Sequence, residues 1–171
     1  SSNKFRLVRS NKVEDINMTL TQLLDDLKDQ KLAGYEIPKI LIVLDSIGMM
    51  SSKKEKEDLI SGSGKTDMTR AKQLNSMFRS ISSDLGYLDI PMVCCNHTYL
   101  SQGSMYPQEI SKGGMGLVYA ASTLGFLSKS KLKTGEEDDM DLGQSGISVL
   151  FKTSKNRLAK PKKIRFDISF L

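Results

Sequence analysis

The stretch ILIVLDS, Ile40 to Ser46, decides the fold, because five consecutive apolar residues stop abruptly at a carboxylate and a hydroxyl. So short a run, rich in Ile, Val and Leu and opened by Pro38, suits a central strand of a parallel sheet covered on both faces. Ligands of open α/β sheets bind at the carboxyl ends of the strands. Asp45 would then stand at the mouth of a site, where in nucleoside-triphosphate hydrolases an aspartate holds Mg²⁺, directly or through water. The same carboxylate can instead cap the turn that follows.

Upstream, KFRLV (Lys4 to Val8) reads as a strand, and Asn11 can cap a helix whose apolar positions are Val13, Ile16, Leu20, Leu23, Leu24 and Leu27. Gly34 and Pro38 close the connection, so Lys4 to Ser46 is expected to form a right-handed strand-helix-strand unit. Downstream, IPMVCCN (Ile90 to Asn96) is a second apolar strand ending in polar groups, Asn96 and then His97. Both strand ends should lie at one edge. His97 is the single histidine, which excludes a His pair or a His-rich metal site within this chain. At a strand's carboxyl end it is placed to sense a bound ligand, although a lone histidine can also be purely structural.

Between these strands, SSKKEKEDLISGSGKTD (Ser51 to Asp67) mixes both charge signs with serine and glycine and reads as a mobile loop. Its GSGKT, Gly62 to Thr66, imitates a phosphate-binding loop, but Leu59 stands where the motif needs glycine and no strand precedes it. It is read as a decoy. Thr66 or Asp67 then caps a helix with Ala71, Leu74, Met77, Phe78 and Ile81 on one face and Arg70, Lys72 and Arg79 off it. After His97, TYLSQGSMYPQEISKGGMG lacks periodicity. Its glycines permit close backbone approach to a polyanion, and Lys112 and the tyrosines could contact phosphates and bases; otherwise it is a surface connection.

Beyond it, STLGFLS, ISVLFKTSKN and KKIRFDISFL read as antiparallel strands, the first two joined by the charged turn KLKTGEEDDMDLGQSG. Lys152, Lys155, Arg157, Lys160, Lys162, Lys163 and Arg165 crowd one short segment and favour a polyanion partner. The whole chain of 171 residues carries a net charge of +5, compatible with nucleic acid without requiring it. Its length suits one domain with a sizeable core. The adjacent Cys94 and Cys95 fit neither a disulfide framework nor a Cys-x-x-Cys metal pair and are expected to be buried thiols in a reducing compartment. No apolar run is long enough to span a bilayer and no signal peptide opens the sequence, so a soluble intracellular protein is expected.

Five segments occur together in order: LIVLDSIG (Leu41 to Gly48), DMTRAKQLNSMFR (Asp67 to Arg79), IPMVCCNHTY (Ile90 to Tyr99), GGMGLVYAASTLGFLSK (Gly113 to Lys129) and KTSKNRLAK (Lys152 to Lys160). With these, the chain resembles the RecA-like recombinases of T-even-type bacteriophages over essentially its whole length. The resemblance implies an α/β fold, a partial RecA-type P-loop NTPase core. Its mainly parallel central sheet would be flanked by helices, with antiparallel strands at the carboxyl-terminal end. It implies a DNA-dependent ATPase using ATP and Mg²⁺ that forms a helical filament on single-stranded DNA and pairs it with homologous duplex.

By that similarity, Asp45 and Ser46 form the Walker B end that positions Mg²⁺, and His97 follows Asn96, where RecA carries a phosphate-sensing glutamine. Lys155 and Arg157 match a basic pair that reaches the neighbouring subunit's ATP in trans. The segments 51–67 and 98–114 match the DNA-binding loops, with Lys65, Arg70, Tyr106, Lys112, Gly113 and Gly114 as contact candidates. The family's phosphate-binding loop and catalytic glutamate fall upstream of residue 1, so the isolated polypeptide is expected neither to bind ATP tightly nor to hydrolyse it. The further expectations are an open sheet edge, phage mediator and single-stranded-DNA-binding proteins as partners, no membrane, and the cytoplasm of an infected bacterial host. A non-catalytic module of the same fold, holding DNA or a recombinase subunit, is the alternative.

Overall fold

The computed structural model describes residues 5–62, 69–100, 109–111, 114–133 and 144–170. It divides into two compact units, residues 1–120 and 121–171.

In the first unit, helix α1 spans Val13–Leu32 and buries Val13, Ile16, Leu20, Leu24 and Leu27, a stripe at helical spacing. Helix α3, Thr69–Leu88, presents Leu74, Met77, Phe78, Ile81 and Leu88 in the same way. These two stripes make one core with Ile47, Met50 and Ile90. Across the helix pair, the Lys28 ammonium lies 3.0 Å from an Asp84 carboxylate oxygen. Strands β1 (Ile42–Leu44) and β2 (Met92–Cys94) pair in parallel, with Leu44 opposite Cys94. Ile42, Leu44 and Met92 pack against the helical core, whereas Leu41, Val43 and Val93 are exposed.

Phe5, Leu7 and Val8 form no strand and are exposed, since a strand without a hydrogen-bonding neighbour has no ladder to hold it. The parallel pair is therefore β1 with β2, crossing over through α3 and the segment before it. Among the described residues the sheet is covered on one face, not both. Asn11 is not the cap of α1: Lys12 holds that position without a side-chain cap, and Asn11 Oδ1 instead accepts from Lys56 Nζ at 2.9 Å. The charged run after Ser51 is not a loop in its first half. It is helix α2, Lys53–Ser61, because Ser52 Oγ accepts from the Glu55 N–H and the Glu55 carboxylate accepts from the Ser52 N–H, a complete capping box. Gly62 closes it in the left-handed conformation at φ 70°. The cap expected at Thr66 or Asp67 lies outside the described residues.

Past β2, strands β3 (Thr98–Leu100) and β4 (Glu109–Ser111) pair antiparallel, so part of the expected irregular loop is a hairpin. Helix α4, Met115–Ala120, follows. Cys94 and Cys95 are exposed rather than buried, for β2 is short and β1 is its one strand neighbour among the described residues. Even so, desolvation, with the neighbouring Cys95 adding to it, pushes the Cys94 thiol up to about 11.

The second unit is a three-stranded antiparallel sheet in the order β5 (Thr123–Lys133), β6 (Gln144–Asn156), β7 (Lys163–Ser169), as the alternation of its residues predicted. Val149 and Thr153 of β6 are buried, while every residue of β7 is exposed. The return from β6 to β7 is locked by Thr153: its hydroxyl accepts from the Lys162 N–H at 2.7 Å and donates to the Lys162 carbonyl at 3.1 Å. The described residues thus form a mixed α/β fold with a parallel two-stranded sheet, an antiparallel two-stranded sheet and an antiparallel three-stranded one.

Candidate functional site

Parallel, in-register pairing sends β1 and β2 off in the same direction, so the polar residues that follow them emerge side by side. The Cys95 N–H donates to the Leu44 carbonyl and the Ile47 N–H to the Cys95 carbonyl, both at 2.9 Å. These bonds carry the pairing past the strand ends and hold Asp45 and Ser46 against Asn96 and His97. Ser46 Oγ lies 3.3 Å from His97 Nε2. The Asn96 side-chain carbonyl accepts from the His97 N–H at 2.9 Å, which fixes the backbone that carries the imidazole. Asp45 and His97 are exposed and Ser46 and Asn96 half-buried.

Gly48 belongs to this edge, though the reading of the sequence did not single it out. A Cβ placed there would come within 2.6 Å of His97 Cδ2 and 3.2 Å of Asn96 Oδ1, so only glycine lets the chain pass so close to the imidazole. Its place two residues after Ser46, in the turn leaving a strand, was the available signal.

One carboxylate beside a hydroxyl is not an all-protein cation cage, and among the described residues there is no cluster of three His, Cys, Asp or Glu that could hold a metal. Such a donor set fits Mg²⁺ only in the manner of nucleotide sites, where the ion keeps several waters and takes most of its other ligands from phosphate oxygens.

The other candidates fall elsewhere. Lys155, on β6 opposite Leu124, and Arg157, whose N–H donates to the Ser122 carbonyl at 2.9 Å, belong to the second unit. Desolvation, and then the Arg157 charge, hold the Lys155 ammonium below its ordinary pKa. Asn156 organises their turn, its Oδ1 accepting from the Leu158 N–H at 3.1 Å and from Thr123 Oγ1 at 3.3 Å. Arg70, in the first turn of α3, donates to the Met50 carbonyl at 3.3 Å and so ties α3 to the segment before α2. Gly114 adopts φ 86° at the start of α4, and Gly116 packs so tightly on Asn75 of α3 that a Cβ would lie 2.1 Å from its Oδ1. Lys65, Tyr106, Lys112 and Gly113 lie outside the described residues.

A strand-end edge with this donor set defines a mixed α/β protein whose polar candidate site lies where β1 and β2 end. The chain is 33% identical over 153 residues to the protein named recombination and repair protein of Enterobacteria phage T4. That alignment covers 89% of this chain and 37% of the phage protein, so the chain corresponds to little more than a third of the relative's length. No family model matches the chain. Among the described residues no helix is long and apolar enough to cross a membrane.

Proposed function

We propose that this chain works in DNA recombination and repair as part of a RecA-like, ATP-dependent strand-exchange recombinase similar to UvsX of T-even-type phages. The observation that carries the reading is the convergence of Asp45, Ser46, Asn96 and His97 at adjacent parallel strand ends, in a chain a third identical to a phage recombination and repair protein. Nucleotide with Mg²⁺ supplies the phosphoryl-transfer chemistry when bound. Asp45 would hold the hydrated ion, Ser46 steadies the imidazole, and His97, one residue before β3, would sense the terminal phosphate. Lys155 and Arg157 offset phosphate charge from a neighbouring subunit. The hairpin and the segment around Arg70 and Gly114 contact DNA mainly through phosphates, so affinity falls with salt and varies little with sequence.

A second reading, a binding module that holds DNA or a recombinase subunit without catalysis, is favoured by one feature of the second unit. Lys152 stands directly opposite Lys163, with Arg165 next along the same face of β7. Like charges opposite one another destabilise a sheet, and an anionic partner relieves the cost.

The test is ATP hydrolysis with and without single-stranded DNA, by the chain alone and after adding a polypeptide that supplies the upstream half of a RecA-like core. The recombinase reading requires no turnover by the chain alone, DNA-stimulated turnover in the mixture, and its loss in Asp45→Ala. No turnover in either sample, with salt-sensitive DNA binding by the chain alone, would replace it with the binding module.

A further inference from the structure

We propose that the outer edge of β7 is a self-complementary docking strand that joins two copies of this chain into a two-fold-symmetric dimer through a continuous antiparallel sheet. The inference does not depend on the nucleotide reading. Among the described residues β7 pairs on one side only, with β6. Its apolar side chains Ile164, Phe166 and Ile168 alternate along one face at 51%, 44% and 45% exposure, an unusual amount of apolar surface for a short edge strand.

Which backbone groups point outward follows from the turn. The Thr153 N–H donates to the Lys162 carbonyl at 3.0 Å, and the register continues without a break through Phe151 with Ile164, Val149 with Phe166, and Ile147 with Ile168. Hydrogen-bonded pairs alternate along an antiparallel ladder. The even-numbered residues of β7 therefore bond to β6, and Lys163, Arg165, Asp167 and Ser169 direct their N–H and carbonyl groups away from the sheet.

A second β7 can add antiparallel only where these outward residues meet one another. Three such registers lie near the middle of the strand. Centring on Asp167 sets Asp167 against its own copy and leaves Arg165 opposite Ser169; centring on Arg165 sets Lys163 opposite Asp167 twice but Arg165 against its own copy at the two-fold axis. Centring on Phe166 sets Arg165 opposite Asp167 twice, Lys163 opposite Ser169 twice, Ile164 opposite Ile168 twice, and Phe166 against its own copy. Lys163 and Arg165 alone would blunt an edge against pairing; Asp167 converts that repulsion into a code for one register. Phe166 would form a non-hydrogen-bonded pair, the closer of the two cross-strand spacings, and the apolar row would run unbroken across both copies.

Sedimentation equilibrium of the full chain across the micromolar range reads the proposal. A dimer is expected, weakened roughly tenfold or more by Arg165→Asp and by Asp167→Arg singly, since each replaces two attractive cross-strand pairs by two repulsive ones. The double exchange of Arg165→Asp with Asp167→Arg should restore it. In a Cys94→Ser, Cys95→Ser background, Phe166→Cys should oxidise to a disulfide-linked dimer. A monomeric wild type, a dimer that ignores the single charge reversals, or a double exchange that fails to recover would each overturn the self-pairing edge. Circular dichroism of the single variants separates lost association from lost folding.

Discussion

Ser46 Oγ and His97 Nε2 lie 3.3 Å apart although they are 51 residues apart in sequence. The contact exists because β1 and β2 run parallel and in register, and because Gly48 leaves room for the imidazole. A hydroxyl and an imidazole held this way act together: the proton on Nε2 or its absence decides which of them donates.

Gly48→Ala is expected to displace His97 while leaving the helical core intact. The added methyl would sit 2.6 Å from Cδ2, and a side chain at an exposed edge gives way before a packed core does. Because His97 is the single histidine, its imidazole resonances are unambiguous in a nitrogen-proton correlation spectrum. They should shift in Gly48→Ala and in Ser46→Ala, with the methyl resonances of Leu24 and Leu74 unchanged. Unmoved imidazole signals in both variants would mean that the contact does not persist in solution.

Ser52→Ala should cost about 0.5–2 kcal/mol. Ser52 is fully buried and closes the capping box of α2, so the variant loses a cap and leaves the Glu55 N–H without its acceptor. Urea denaturation measures the loss, and hydrogen exchange should accelerate first at Glu55 and Lys56, within the first turn of α2.

Much of the first unit was legible because periodicity survives translation into packing. The stripes of α1 and α3, and the apolar runs that stop at Asp45 and Asn96, appear where burial requires them. Helix α2 was missed although Ser52-Lys53-Lys54-Glu55 spells a capping box, because the density of charge around it outweighed one local signal. Phe5 to Val8 failed for the opposite reason: its residues favour a strand, but strand formation is decided by a neighbour that local sequence does not reveal. Of the candidate site, the two strand ends could be read, since a run of apolar residues has to stop somewhere. The clearance at Gly48 could not, because it depends on a contact made across 49 residues of sequence, with His97.

Leu24→Ala and Leu74→Ala are each expected to destabilise by about 2–5 kcal/mol, the range for truncating a well-packed side chain. Both leucines are fully buried between α1 and α3. Val43→Ala should cost less than about 1 kcal/mol, for Val43 lies on the uncovered face of the sheet at 59% exposure. Equal losses at Val43 and Leu24 in thermal or chemical unfolding would mean that the second face of the sheet is covered in solution.

Glu14 makes the first unit sensitive to acid. Its Oε1 accepts from the Lys53 N–H and from Gln73 Nε2, both at 2.9 Å, joining α1 to the start of α2 and to α3. Desolvation pushes the carboxyl upward, but these hydrogen bonds and the Lys53 charge outweigh it and hold the group below its ordinary value. A carboxyl whose folded pKa lies below its unfolded one contributes stability that is fully present above the unfolded value and is lost as pH falls through the folded one. Glu14→Gln keeps the shape and removes the titration. Its unfolding midpoint should therefore lie below that of the wild type near neutral pH, and the gap should close as pH drops below the carboxylate range, about 4. A gap that stays constant down to acid pH would assign the role of Glu14 to packing rather than to its charge.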